Sequence, residues 1–163
     1  MAARVYLVCE GRSDLAFLAR LVEYVGAEVC GDFIQNGVAN LDKKISAYCE
    51  AASVPDGGVW LVVRDSDGKC PVDLRQALLG GSCPSSFLLR IADPMIEEWM
   101  LADHEGAASF FRVPTNEVRN AQRSERPKKE LLRAVARFGT KTMKQRLVRD
   151  GHRPGPEFES VYG

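Results

Sequence analysis

Four carboxylates in two short stretches could do chemistry together. Glu10 and Asp14 stand in VYLVCEGRSD, directly after an apolar run, and Asp65 and Asp67 stand in VVRDSDG after another. A carboxylate at the end of a buried strand is poorly solvated, and it costs free energy unless it is paired, protonated or bound to a cation. Side chains two apart in extended chain point to one side, so Asp65 and Asp67 can face one spot while Ser66 faces away. Like charges within ~4–6 Å of each other drive protonation, and a divalent cation removes that conflict. All-oxygen ligation with no paired His or Cys favours Mg²⁺ or Mn²⁺ over zinc. Two such ions would permit in-line displacement at a phosphodiester, one activating water and the other stabilising the leaving oxygen.

The elements needed to position these acids can be read along the chain. Residues 5–9 predict a buried strand. Ser13 reads as the N-cap of a helix with Leu15, Leu18, Val22 and Val25 at three- and four-residue spacing, stopped by Gly26. A weaker strand is expected over 32–35. Asn40 as a cap, followed by Leu41, Ile45, Cys49 and Ala52, predicts a second helix ended by VPDGG. VWLVV at 59–63 predicts a central parallel strand with RDSDGK at its C-terminal end, Pro71 opens a helix to about Leu79, and 87–91 reads as another strand. Strands alternating with helices argue for an α/β fold with a Rossmann-like, mostly parallel sheet, and in such sheets sites form outside the carboxyl ends of the strands. Both acidic pairs lie there.

Beyond Ile91 the pattern turns helical and basic. Asp93 and Pro94 read as an N-cap and N1 pair, predicting a helix over PMIEEWMLAD to about Asp103, and 106–126 reads as mixed and loop-rich. Pro127 starts a helix with Leu131, Leu132, Val135 and Phe138 on one side, and Thr140 caps another with Met143, Leu147 and Val148 inward, ended by Gly151. The expected organisation is a core over 1–105 and a helical basic extension over 106–163, packed as one compact unit.

Bulk composition sets limits on this reading. The chain has 163 residues, 45% of them hydrophobic, enough for one domain with a real core. No apolar run approaches a membrane span, and the start lacks a secretory signal pattern, so a cytosolic protein without a membrane partner is expected. The five cysteines are odd in number and widely spaced, which argues against a disulfide framework or zinc knuckle and for small core residues. Net charge is zero but segregated: residues 1–111 carry 9 Lys and Arg against 16 Asp and Glu, whereas 112–153 carry 13 against 4. An acidic site beside a basic surface suits a metal and a polyanion meeting, and Arg126, Lys128, Lys129, Arg133, Lys141 and Lys144 suit phosphate contacts in DNA or RNA. Trp99, Phe110 and Phe111 could stack on bases but are expected as buried anchors. His104 and His152 are expected at the surface, with His104 a distant candidate for proton transfer at a site edge.

CEGRSD before an apolar helix, and VVRDSDG at the end of a central strand, resemble the TOPRIM fold shared by primases, topoisomerases and OLD-family nucleases. ADPMIEEWMLAD is similar to a segment of small stand-alone and OLD-type TOPRIM proteins found beside ATPases in bacterial defence loci, and RPKKELL matches more loosely. The resemblance implies metal-dependent cleavage of phosphodiester bonds with one or two Mg²⁺ or Mn²⁺. It makes Glu10 a metal ligand or general base, Asp14, Asp65 and Asp67 metal ligands, Glu97 a further carboxylate, and Lys128 a stabiliser of negative charge at the phosphate. The chain has no Gly-x4-Gly-Lys-Ser/Thr loop, so the implied ATPase, of the ABC or SMC type, would be a separately encoded partner; a homo-oligomer could also form. Two other readings compete. A non-catalytic TOPRIM-fold module could bind a partner protein or nucleotide and use the acids structurally. A haloacid-type phosphatase also uses Asp-x-Asp, but it expects that pair after the first strand.

Overall fold

The computed structural model describes residues 2–151 and 153–158, and the chain divides into two compact units that part between Met95 and Ile96. In the first, β1 (Arg4–Cys9), β2 (Glu28–Ile34), β3 (Val59–Asp65) and β4 (Phe87–Ala92) form an all-parallel sheet in the order β2-β1-β3-β4. Between successive strands run α1 (Arg12–Tyr24), then α2 (Val38–Asp42) and α3 (Ile45–Ala51), then α4 (Pro71–Leu79). The α/β, Rossmann-like expectation is met at this level. The chain winds outward from β1 to β2 and then returns to β3 on the other side of β1. In open parallel sheets, ligand sites form at such a reversal, outside the carboxyl ends of the strands, which here are those of β1 and β3.

Burial explains why these strands pair. Val8, Leu41, Ile45, Ala52, Val62, Phe87 and Leu89 form one buried cluster that the sheet shares with α2 and α3, while α1 buries Leu18 and Val22. Each such aliphatic side chain contributes ~1.5–3 kcal/mol when fully buried. Tyr6 and Phe33 both stack on Trp60, at centroid distances of 4.8 and 5.4 Å. A Cβ at Gly31 would lie 3.0 Å from the Tyr6 ring, so a larger residue there would have to displace that ring.

Several local details differ from the sequence reading. Gly11, not Ser13, is the N-cap of α1, because the Asp14 carboxylate accepts the Gly11 N–H at 2.9 Å. Val25 is exposed rather than inward. The single helix expected after Asn40 is broken at Lys43 and Lys44, and the Asn40 amide donates to the Gln35 carbonyl at 3.1 Å. Cys49 and Cys83 form a disulfide across 34 residues, Cys30 and Cys70 are exposed, and only Cys9 of the free cysteines is buried. The reading of the cysteines as unpaired core residues is corrected: α3 and the loop before β4 pack on one core cluster, which widely spaced cysteines do not reveal.

The second unit contains α5 (Ile96–Met100), α6 (His104–Phe111), α7 (Thr115–Gln122), α8 (Pro127–Phe138), α9 (Lys141–Leu147), and the short antiparallel pair β5 (Val148–Arg149) and β6 (Arg153–Pro154). α8 is its centre, burying Leu131, Leu132, Ala134 and Val135 and touching α5, α7, α9, β5 and β6. Residues 106–126 are mostly helical, not loop-rich: Asp103 accepts the Gly106 N–H at 2.9 Å to open α6, and Pro114 precedes α7. The helix expected from Pro94 to Asp103 shrinks to α5. The Asp93–Pro94 bond is cis, and Asp93 accepts a hydrogen bond from Ser66 instead of capping a helix. Thr140 does cap α9, accepting from the Met143 N–H at 3.3 Å, but the helix ends at Leu147, where the chain turns into β5. Among the described residues no helix is long and apolar enough to cross a membrane.

Candidate functional site

Glu10 immediately follows β1 and Asp65 is the last residue of β3, and these strands are paired neighbours. The Asp65 N–H points at Glu10 Oε1 across 3.4 Å, a long contact that nevertheless sets the two chain ends side by side. Glu10 is half-buried, and its carboxyl lies above its ordinary range. Burial is the largest cause, the Asp65 N–H opposes it, and the charges of Asp67 and Asp14 add to it. Glu10, Asp14 and Asp67 therefore share one electrostatic neighbourhood. Beneath them the Cys9 thiol is pushed up to about 12, by burial first and then by Asp14, so it is inert as a nucleophile.

Between these acids and the core lies a residue that the sequence reading passed over. Arg64 is 2% exposed, the only buried charged side chain among the described residues. Its Nε and Nη2 donate to the two carboxylate oxygens of Asp42, each at 3.2 Å, in a fork-to-fork pair. Its Nη1 donates to Asp67 Oδ2 at 3.1 Å and also to the Asp65 carbonyl. Burial works against the guanidinium charge, and the hydrogen bond and charge of Asp42, then the charge of Asp67, outweigh it. Asp67 reaches Arg64 because it and Gly68 both hold positive φ, 51° and 75°, which folds the turn back on the strand end. Ser66 is fully buried between the two acids. Its Oγ donates to Asp93 Oδ1 at 2.7 Å, and its N–H bonds the Ala92 and Pro94 carbonyls, so the D-S-D turn is moored to the end of β4.

The other predicted residues belong to the second unit. Glu97 is half-buried in the first turn of α5. Lys128, in the first turn of α8, places its ammonium 5.2 Å from the centre of the Phe158 ring. Arg126 and Lys141 are exposed, and Lys129 is half-buried. Arg133 pairs with Glu130 at 2.6 Å, and Lys144 donates to the Arg137 carbonyl at 3.2 Å. A groove of about 420 Å³ runs between α7 and α8, where Arg133 and Arg137 face Glu117 and Glu130. Trp99 and Phe110 are exposed at 38% and 47%, contrary to the expectation of buried anchors, whereas Phe111 is buried. His104 is half-buried rather than at the surface: its Nε2 bonds Gln122, whose amide donates to the Glu98 carbonyl at 3.2 Å, so it ties α6 to α7 and α5. His152 lies outside the described residues.

Among the described residues no three His, Cys, Asp or Glu side chains converge as a ready ligand set. The donor chemistry nonetheless fits Mg²⁺, which uses one or two carboxylates and fills its remaining positions with water and substrate phosphate. Glu10 with Asp65 or Asp67 would supply those carboxylates. No family model, curated protein or solved structure matches the chain, so its function is read from this geometry.

Proposed function

We propose that the protein is a TOPRIM-type nuclease that cleaves phosphodiester bonds in DNA or RNA with Mg²⁺ or Mn²⁺, as the effector of a bacterial defence system working with a separately encoded ATPase. One observation carries the reading: Glu10 and the Asp65–Asp67 turn meet at the carboxyl ends of β1 and β3, across the reversal in strand order. Glu10, Asp65 and Asp67, with Asp14 close by, would hold the cation, which would supply Lewis-acid stabilisation and a water of lowered pKa. Burial raises the Glu10 carboxyl above its ordinary value, so it holds a proton more readily than a solvated carboxylate, which suits a proton acceptor. Basic residues of α8 and α9 would contact the nucleic-acid backbone; Lys128 and Glu97, which the resemblance makes a stabiliser of phosphate charge and a further carboxylate, lie in the second unit.

The test is incubation of the purified full chain with plasmid DNA and with total RNA, in Mn²⁺ or in EDTA. Cleavage should require Mn²⁺ and should vanish in Asp65→Ala and Asp67→Ala variants that melt as the parent does. Cleavage surviving both changes sinks the site assignment. The Arg64 network favours a second reading, a non-catalytic module that binds a partner or nucleotide, because it gives Asp67 a structural partner. Calorimetry separates the two, since the module needs no Mn²⁺ uptake and none that depends on Glu10.

A further inference from the structure

Arg64 is over-supplied with partners. Its fork is already satisfied by both oxygens of Asp42, which is 29% exposed, yet Nη1 also reaches the carboxylate of Asp67, which is 54% exposed and on the outer turn. A buried guanidinium needs one carboxylate to offset its desolvation, and the second bond ties down a side chain that water could otherwise solvate. We propose that Arg64 is a resident counter-cation and positioning residue: it holds Asp67 when no ion is bound, and a divalent cation must win Asp67 from it. The inference rests on the metal-site reading above and adds its regulation. Asp42 sets the strength of the hold, because it draws part of the guanidinium's charge away from the site.

Strengthening the hold of Arg64 on Asp67 and removing it should therefore shift metal affinity in opposite directions. With Asp42→Asn, Arg64 keeps its full charge for Asp67, and Mn²⁺ should bind about tenfold more weakly. With Asp42→Asn and Arg64→Gln together, no charge is left uncompensated in the core and Asp67 is released. Mn²⁺ should then bind about tenfold more tightly than to the parent. A guanidinium that merely staples the fold makes both variants less stable and moves affinity, if at all, one way. The measurement is calorimetric titration of the full chain with Mn²⁺ alone, with thermal melts alongside. Asp67→Asn is the control, and in that background Asp42→Asn should have no further effect. Opposite shifts support the proposal. If the parent binds Mn²⁺ and the two variants shift together or stay put, the proposal is overturned and the metal site stands. If the parent takes up no Mn²⁺, the metal-site reading fails and takes the proposal with it. An Asp42→Asn variant too unstable to titrate leaves the double variant, whose unchanged or weakened binding overturns the proposal by itself.

Discussion

Glu10 is a carboxylate that the fold makes reluctant to ionise, and its effect on stability has a definite sign. Its ordinary value is 4.5, and burial, with Asp67 and Asp14 adding, raises it in the folded chain. Between those two values the folded state binds more protons than the unfolded state, so stability falls as pH rises through that window and stays lower above it. In EDTA, Glu10→Gln should raise the melting temperature at pH 7 and leave it nearly unchanged at pH 4. A variant that melts lower at pH 7 would show that the Glu10 charge supports the fold instead. The four acids were legible in the sequence because each interrupts or follows an apolar run, where an unpaired charge is anomalous. Arg64 was not. It sits inside RDSDG, which reads as a solvated turn, and nothing local shows that β3 continues through it with its side chain inward. Asp42 was hidden for a related reason: its partner is 22 residues away, and its own helix gives no sign of it.

Among the elements, the disulfide is the feature with the largest expected effect. It joins α3 to the loop that leads into β4, across 34 residues, and closing a loop of that size restricts the unfolded chain. Reduction, or Cys49→Ser, should cost about 2–4 kcal/mol in urea unfolding. Thiol titration of the denatured, unreduced protein should find three free cysteines out of five. Five would mean the bond does not form, as a reducing cytosol favours. The elements themselves were legible where periodicity and punctuation agreed. β3 rises from an uninterrupted apolar run rich in valine, α4 and α8 open on Pro71 and Pro127, and α9 opens on Thr140. They were lost where tertiary partners decide. α6 and α7 are only eight residues long each, and burial of Ala108, Phe111, Val118 and Ala121 makes them helical. Asp93 reads as a cap until Ser66 is found to hold it.

Over the whole molecule, charge is divided along the chain. Residues 1–111 hold 16 Asp and Glu against 9 Lys and Arg, and residues 112–153 hold 13 Lys and Arg against 4 Asp and Glu. In the proposed nuclease these are separable tasks: the basic helices supply sequence-independent affinity by displacing counterions, and the acids supply chemistry. Not all of the basic residues are equally available for the first task. Arg133 is engaged by Glu130, and Lys128 lies over an aromatic ring, whereas Arg126 and Lys141 are exposed. Binding of a DNA duplex to the full chain in EDTA should therefore weaken steeply with salt, at a slope of about 0.9 per phosphate neutralised. Arg126→Ala and Lys141→Ala should each lower that slope by about one, whereas Arg133→Ala should lower it less, since its charge is already shared. Asp67→Asn should abolish cleavage while leaving the slope where it was. Slopes that do not respond to Arg126 or Lys141 would mean that the backbone is held elsewhere, and the division of labour between acidic and basic residues would fall with them.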